Sequence, residues 1–132
     1  MEIIYRTDTK PEAGQVIRLY DLAALPRPTG DPERIGKMIE NADLIVTAWH
    51  ADKLVGVSRV ITDWVWCAYL ADLAVDPNYK KSGIGKKLVE LTREKLGERS
   101  MLLLLSVPTA MDYYPKIGFT KDDRAFSINR TR

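Results

Sequence analysis

Cysteine, histidine and long apolar runs are scarce in this sequence of 132 residues, and each scarcity excludes a class of protein. The single cysteine, Cys67, has no partner for an internal disulfide, and one further histidine, His50, does not complete the ligand set of a structural zinc site. The longest aliphatic run, residues 101–105, has five members, whereas a membrane-spanning helix needs about 20. Charges among the first eight residues interrupt any apolar stretch of the kind found in a secretion signal. We therefore expect a soluble, cytoplasmic protein without a metal site or a membrane partner.

The composition is that of an ordinary globular protein, with 45% hydrophobic and 29% charged residues. The sequence contains no repeat, low-complexity segment or linker. A chain of this length buries about two-thirds of its unfolded surface, which is enough for a core without disulfides or metals. We expect one domain over residues 1–132.

The hydrophobic periodicity changes several times along the chain and predicts an α/β fold. Proline and glycine in residues 25–30 separate two helical patterns, and Asp31-Pro32 is typical of a helix start. The predicted order is β-α-α-β-β-β-α-β-α-β, with a mixed, mostly antiparallel central sheet flanked by about four helices. The predicted strands are 1–7, 44–49, 54–61, 67–75, 101–107 and one or two within 119–129, and the predicted helices are 11–24, 31–41, 82–96 and 109–117.

The segment Lys80-Lys81-Ser82-Gly83-Ile84-Gly85-Lys86-Lys87 departs from the usual rules for a helix start. Each of its two glycines costs about 1 kcal/mol relative to alanine in a helix. Its four lysines lie at the positive end of the helix dipole, where acidic residues are preferred. A bound anion would compensate for both departures, because glycines allow a phosphate to reach the backbone N–H groups. The alternative is a glycine-softened turn followed by solvated lysines.

The known nucleotide-binding loops do not fit this segment. The sequence lacks the pattern of a Walker loop, and a dinucleotide fingerprint would need a third glycine at the position of Leu88.

The four lysines of this segment account for the net positive charge of the chain. It has 20 basic and 18 acidic residues, and without these lysines 16 basic residues stand against 18 acidic ones. The cationic segment thus lies on a slightly acidic body, which favours a compact polyanion over an extended nucleic acid.

Two blocks of the sequence resemble the GNAT superfamily of acetyl-CoA-dependent N-acetyltransferases. Leu73-Ala74-Val75-Asp76-Pro77 followed by Lys80-Lys81-Ser82-Gly83-Ile84-Gly85 resembles the superfamily's motif A, (Gln/Arg)-x-x-Gly-x-(Gly/Ala) after a strand. Ala110-Met111-Asp112-Tyr113-Tyr114-Pro115-Lys116-Ile117-Gly118-Phe119 resembles a second, downstream segment of the family. The likeness extends over about residues 40–120. Lys80 replaces the usual Gln or Arg, and Val107-Pro108 stands where many members carry an asparagine.

The resemblance implies acetyl-CoA as cosubstrate and assigns roles to individual residues. Tyr114 matches the family's general acid, and a phenol with a pKa of about 10 is protonated at neutral pH. The pantetheine arm is expected to pair with backbone groups, and the pyrophosphate is expected on the helix start beside Lys80. The implied cofactor-binding residues are Leu73, Ala74 and Val75 for pantetheine, and Lys80, Lys81, Ser82, Gly83, Ile84, Gly85 and Lys86 for pyrophosphate.

The general base has several candidates. Asp72 lies in an otherwise apolar strand, where burial is expected to raise the pKa of a carboxyl group. It could instead anchor a neighbouring loop, and many family members use a chain of water molecules as the base. His50 has a suitable pKa, but lone histidines are more often structural. Cys67 lacks a recognisable His–acid partnership, so direct transfer to the amine is favoured over an acyl-cysteine route.

Three classes of function remain for comparison. The first is an N-acetyltransferase acting on a primary amine of a small molecule or peptide, with residues 25–30 as one wall of the acceptor site. The second is a CoA-binding regulatory or sensor module without chemistry. Nucleic-acid binding would need a broad basic face, which residues 1–79 lack. Dimers are common in the family, so the resemblance also allows a homodimer.

Overall fold

A five-stranded sheet forms the centre of the fold. The computed structural model describes residues 2–132, and within this range five strands form one sheet in the order β1-β2-β3-β4-β5. All neighbouring strands are antiparallel except β4 and β5, which are parallel. The predicted α/β class and the mixed, mostly antiparallel sheet are therefore confirmed. The elements are β1 (Ile4–Arg6), α1 (Ala13–Leu22), α2 (Pro32–Glu40), β2 (Leu44–His50), β3 (Lys53–Thr62), β4 (Cys67–Val75), α3 (Ile84–Leu96) and β5 (Met101–Leu103), with 3₁₀ turns at Pro77–Ser82, Pro108–Ala110 and Tyr114–Ile117.

Helices cover both faces of the sheet. On one face α1 and α2 bury Leu19 and Ile35 against Val57 of β3. On the other face α3 buries Ile84 and Leu88 against the sheet. The apolar residues of each helix recur every three to four positions, which gives each helix one buried stripe. No helix formed by residues 2–132 has the length and apolar character needed to cross a membrane.

Strands β4 and β5 diverge soon after they pair. Their parallel ladder consists of Cys67 with Met101, Ala68 with Leu102 and Tyr69 with Leu103. Beyond this point β4 continues to Val75 along β3, while β5 has ended. The edge of β4 that faces away from β3 is consequently open over residues 70–75.

A β-bulge lies where the divergence begins. Arg59 of β3 pairs with Asp72, but the next residue, Val60, pairs with Leu70. Ala71 is thus an extra residue on β4 without a counterpart on β3. Such a bulge bends the strand and redirects its side chains.

The last third of the chain differs from the sequence-based expectation. The predicted strand 101–107 is confined to Met101–Leu103, and Met101 and Leu103, which share one face, are exposed. The predicted helix 109–117 is replaced by two short 3₁₀ turns, because Pro115 lies in its interior and lacks the N–H needed to continue a helix. The predicted strands within 119–129 do not form, and the side chains of Phe126 and Ile128 are fully exposed.

Gly56 of β3 provides a test of the packing between α3 and the sheet. A Cβ atom at this position would lie 2.9 Å from Ile84 Cγ2 and 3.0 Å from Leu88 Cδ1. We expect Gly56→Ala to lower the free energy of unfolding by about 2 kcal/mol, because both neighbours belong to a packed core. Urea denaturation measures this change.

Gly36→Ala is the matched control, because a methyl group at this position of α2 meets nothing within 4 Å. This variant should be at least as stable as the parent, since alanine is the better helix former. Equal stability of Gly56→Ala and the parent would contradict the close packing described here.

Candidate functional site

The start of α3 has the features of an anion-binding site. Gly83, with φ of 70°, ends the preceding 3₁₀ turn and begins the helix in a left-handed conformation that favours glycine. No side chain caps the helix, and its first turn contains no acidic residue. Lys80, Lys81 and Lys86 are exposed around it. The first N–H groups of a helix have no intrahelical acceptors, so this cationic turn suits a polyanion.

Buried polar contacts hold residues 80–86, which form the glycine turn, against the sheet. The fully buried carboxylate of Asp76 accepts a hydrogen bond from the N–H of Asn78 at 3.0 Å, and the Asp76 N–H donates to the carbonyl of Val55 at 2.8 Å. The residue after Asn78 is Tyr79, whose hydroxyl lies 2.6 Å from Nδ1 of His50. His50 therefore supports the turn.

A cavity of about 470 Å³ opens beside the unpaired edge of β4. It brings together Tyr114 and part of the predicted cofactor site, namely Leu73, Ala74, Val75, Lys80 and Gly85. The other predicted residues, Lys81, Ser82, Gly83, Ile84 and Lys86, belong to the same turn but do not line the cavity. The rest of the lining comes from the segment after α1, from the middle of β4 and from residues 104–113: Ala23, Ala24, Leu25, Arg27, Leu70, Ala71, Leu104, Leu105, Val107, Thr109, Ala110 and Tyr113.

The residues at the cavity fit the acetyl-CoA that the family resemblance implies. The open edge of β4 offers backbone N–H and C=O groups to an extended, amide-containing arm. Gly85 lines the cavity although the residue is itself buried: a Cβ atom there would collide with the hydroxyl of Tyr113 and lie 3.7 Å from a methyl group of Val75. A side chain at position 85 would close the approach to the helix start.

Tyr114 lies among aromatic rings at the cavity wall. Its ring is 5.4 Å from that of Tyr113 and 5.6 Å from that of Phe119, both edge to face. Burial raises the pKa of Tyr114, and the neighbouring Tyr113 raises it further, while Arg27 acts in the opposite direction. The phenol is therefore protonated at neutral pH and can donate a proton into the cavity.

Asp72 lies at the centre of a buried network. Its Oδ2 accepts hydrogen bonds from Tyr20 Oη at 2.6 Å and from Arg59 Nε at 2.5 Å, and its Oδ1 accepts one from Arg27 Nε at 2.5 Å. Burial acts to raise the pKa of Asp72, but the hydrogen bond and charge of Arg59, with smaller contributions from Tyr20 and Arg27, outweigh it and lower the pKa. The expectation that burial would raise this pKa is wrong. A carboxylate so strongly paired is a poor proton acceptor.

Arg27 connects the network to the cavity. Besides Asp72, its guanidinium donates from Nη2 to the carbonyl of Ala71, the extra residue of the bulge, at 2.8 Å. Nη1 donates to the carbonyl of Pro26 at 2.7 Å. These contacts fix residues 25–30, predicted as an acceptor-side wall, against β4.

Sequence reasoning missed Tyr20, Arg27 and Arg59 as partners of Asp72. A signal existed for one of them, because Arg59, like Asp72, is a charged residue in an apolar strand. Two such residues in neighbouring strands of a meander are natural partners, since each needs an opposite charge when buried.

The remaining candidates lie outside the cavity lining. Cys67 is exposed at the start of β4. Trp64 and Trp66 are exposed in the β3–β4 turn. Among residues 2–132 no cluster of histidine, cysteine and acidic side chains could hold a metal ion.

A larger groove, of about 800 Å³, lies at the opposite end of α3. It is lined by Glu90, Glu94 and Glu98, with Arg93 as its basic residue. The C-terminal end of a helix is negative, and these carboxylates add to that charge. This groove therefore does not suit a phosphorylated ligand.

Comparison with known proteins agrees with this geometry. Residues 11–119 match the profile described as the Acetyltransferase (GNAT) family. The chloroplastic GCN5-related N-acetyltransferase 2 of Arabidopsis thaliana is 35% identical over 136 aligned positions, which cover 83% of this chain and 53% of that protein. The chain thus belongs to the GNAT acetyltransferase family.

A second curated relative and a solved structure are also similar to this chain. The histone acetyltransferase TAP1 of Glycine max is 27% identical, with 83% of this chain and 55% of that protein covered. The chain spans about half the length of these two curated relatives. A probable acetyltransferase of unknown function from meticillin-resistant Staphylococcus aureus has the same fold, with a TM-score of 0.84 at 23% identity and coverage of 98% of this chain and 100% of that one.

The Asp72 network makes a testable contribution to stability. We expect Asp72→Asn to lower the free energy of unfolding by about 3 kcal/mol at pH 7, because Arg27 and Arg59 would be left without their carboxylate. A carboxyl group whose pKa is lowered by folding stabilises the protein above its unfolded pKa of about 4 and loses this effect as the pH falls through its folded pKa. The difference between parent and variant should therefore narrow toward pH 3.

Urea denaturation at several pH values between 7 and 3 tests this prediction. Asp8→Asn is the matched control, because Asp8 forms an exposed ion pair with Arg6 and such pairs add little to stability. An Asp72→Asn variant with the parent's stability at pH 7 would show that the network is energetically neutral.

Proposed function

We propose that the protein transfers an acetyl group from acetyl-CoA to a primary amine by direct attack within a ternary complex. One observation carries the proposal: Tyr114, two residues of the glycine turn (Lys80 and Gly85) and the open edge of β4 border the same cavity. A proton donor can protonate the departing thiolate, and a polyanion-binding turn and an unpaired backbone edge can hold CoA, so the three features together suit acyl transfer from CoA. Acetyl-CoA, when bound, supplies an acetyl thioester whose carbonyl carbon the amine attacks with release of CoA.

The chain's own residues would hold the cosubstrate in two ways. Backbone groups of Leu73, Ala74 and Val75 would bind the pantetheine arm as an added strand, because this edge of β4 has no strand beside it. The N–H groups of residues 81–86 would bind the pyrophosphate, with Lys80 at the cavity wall adding positive charge. Lys80 provides a point charge and lacks the fork of arginine.

Tyr114 would act as the general acid. Its hydroxyl would donate its proton to the sulfur of the leaving thiolate, whose pKa of about 8.5 lies below that of a tyrosine. A raised pKa keeps the proton on Tyr114 until the thiolate develops.

Asp72 would act as a positioning residue. Both of its oxygens are occupied by hydrogen bonds, which supports an anchoring role over the role of general base. The exposed position of Cys67, outside the cavity lining, supports direct transfer over an acyl-cysteine intermediate. A water chain then remains as the route by which the ammonium of the acceptor loses its proton.

Gly85→Ala tests the cofactor site. The added methyl group would collide with the hydroxyl of Tyr113 and crowd the helix start, so we expect the Kd for CoA to rise at least about tenfold, or about 1.4 kcal/mol. Isothermal titration calorimetry measures the Kd. Gly14→Ala, at an open position of α1, is the matched control and should bind CoA as the parent does. Unchanged binding by Gly85→Ala would place the pyrophosphate elsewhere.

Tyr114→Phe tests the general acid. We expect kcat to fall about 100-fold with little change in the Kd for CoA, because the variant keeps the ring and loses only the donated proton. Release of CoA thiol with an accepted amine measures turnover. Tyr69→Phe, on the exposed part of β4, controls for the loss of a tyrosine hydroxyl.

Two outcomes would contradict parts of the proposal, namely the identity of the general acid and the acetyl transfer itself. A larger loss in Tyr113→Phe than in Tyr114→Phe would make Tyr113 the acid. CoA binding by the parent without thiol release across a broad panel of amines would favour the sensor module, the alternative that also uses the glycine turn.

A further inference from the structure

The cavity has two ends, which β4 connects. Lys80 and Gly85 mark the cofactor end, near Val75 at the end of the strand. Arg27 marks the other end through its bond to Ala71. Val75 is four residues after Ala71, and four rises along a strand correspond to about 13 Å. An acceptor amine would therefore enter at the Arg27 end.

The acceptor end is apolar apart from one cation. Its wall is formed by Ala23, Ala24 and Leu25 after α1, by Leu70 of β4, and by Leu104 and Leu105. Within residues 2–132 the charged side chains that line the whole cavity are Arg27 and Lys80, and no carboxylate lines it.

The ion pair with Asp72 does not neutralise the positive charge at the Arg27 end of the cavity. The side chain of Asp72 has no exposed surface, and two arginines, Arg27 and Arg59, share its single negative charge. The cluster thus carries a net positive charge, and the side chain of Arg27 is 22% exposed. Charges in a partly buried site are weakly screened, so this cation acts strongly on an acceptor in the cavity.

Arg27 also retains hydrogen-bonding capacity. A guanidinium has five N–H groups. Three of them donate to Asp72, Ala71 and Pro26, and the other two have no acceptor among residues 2–132. A carboxylate matches the geometry of the N–H groups of a guanidinium.

We propose that the acceptor is an amino-carboxylate with an apolar body, such as a hydrophobic amino acid, whose carboxylate binds Arg27. A polycationic acceptor is disfavoured because the cavity lining offers no carboxylate to its additional ammonium groups. This inference rests on the proposed acetyl transfer and specifies its substrate class.

Matched pairs of amines test the inference on the unmodified protein. L-phenylalanine and 2-phenylethylamine differ by the carboxylate alone, as do L-leucine and 3-methylbutylamine, and spermidine serves as the polycation. With release of CoA thiol as the readout, we expect kcat/KM for at least one amino acid to exceed that of its decarboxylated partner by about tenfold or more, and to exceed that of spermidine.

The possible results separate the two proposals. Equal or better use of the decarboxylated amines, or a preference for spermidine, overturns the substrate class and leaves acetyl transfer intact. Absence of thiol release with every amine overturns acetyl transfer and the substrate class together.

Variants test whether Arg27 is the specificity determinant. Arg27→Met removes the charge, so the preference for the amino acid over its decarboxylated partner should fall toward one. Asp72→Asn disturbs the same loop but removes no positive charge, so it should lower kcat/KM for both acceptors without lowering the preference for the amino acid. An unchanged ratio in Arg27→Met overturns the role of Arg27.

A second variant decides the question if Arg27→Met does not fold. Leu25→Glu adds a carboxylate to the same end of the cavity and should raise spermidine use relative to amino acid use by about tenfold or more. Leu22→Glu, on the exposed part of α1 and outside the cavity lining, is the control and should leave the ratio unchanged. If Leu25→Glu leaves the ratio unchanged as well, charge at this end does not select the acceptor, and the inference fails.

Discussion

The buried carboxylate of Asp72 is the interaction on which the geometry of the site depends. It joins Tyr20 of α1, Arg27 of the following loop and Arg59 of β3 at one point on β4. A carboxylate in the middle of a sheet is costly unless it is paired, and here the pairing connects three segments of the chain. The loop after α1 is thereby fixed as a wall of the cavity.

The divergence of β4 and β5 provides the second constraint. Three paired residues keep the strands together at one end, and the bulge at Ala71 bends β4 where they separate. Backbone groups that a continuous sheet would occupy are left available to a ligand. The same bulge presents the Ala71 carbonyl to Arg27, so the opening and the network occur at the same position of the strand.

Local sequence patterns predicted the elements whose structure is determined by residues close together in the sequence. The three-strand meander, α3 and the glycine turn follow from alternation, helical spacing and two glycines, and the structure contains all of them. The partners of Asp72 lie 13, 45 and 52 residues away in sequence, and no local pattern encodes such pairings. The predicted elements of residues 101–129 were largely wrong for a related reason. A strand needs a neighbour to complete its hydrogen bonds, and Pro115 removes a donor that a helix over residues 109–117 would need.

The lysines around the glycine turn have a kinetic consequence. Lys80, Lys81, Lys86 and Lys87 are exposed on a body whose remaining charge is slightly negative, so the molecule has a strong charge asymmetry. Such an asymmetry guides a diffusing polyanion toward the mouth of the cavity before contact. Salt screens this attraction over about 8 Å at physiological ionic strength. The field therefore governs the final approach and the orientation of the ligand, and its effect on the rate of association weakens as ionic strength rises.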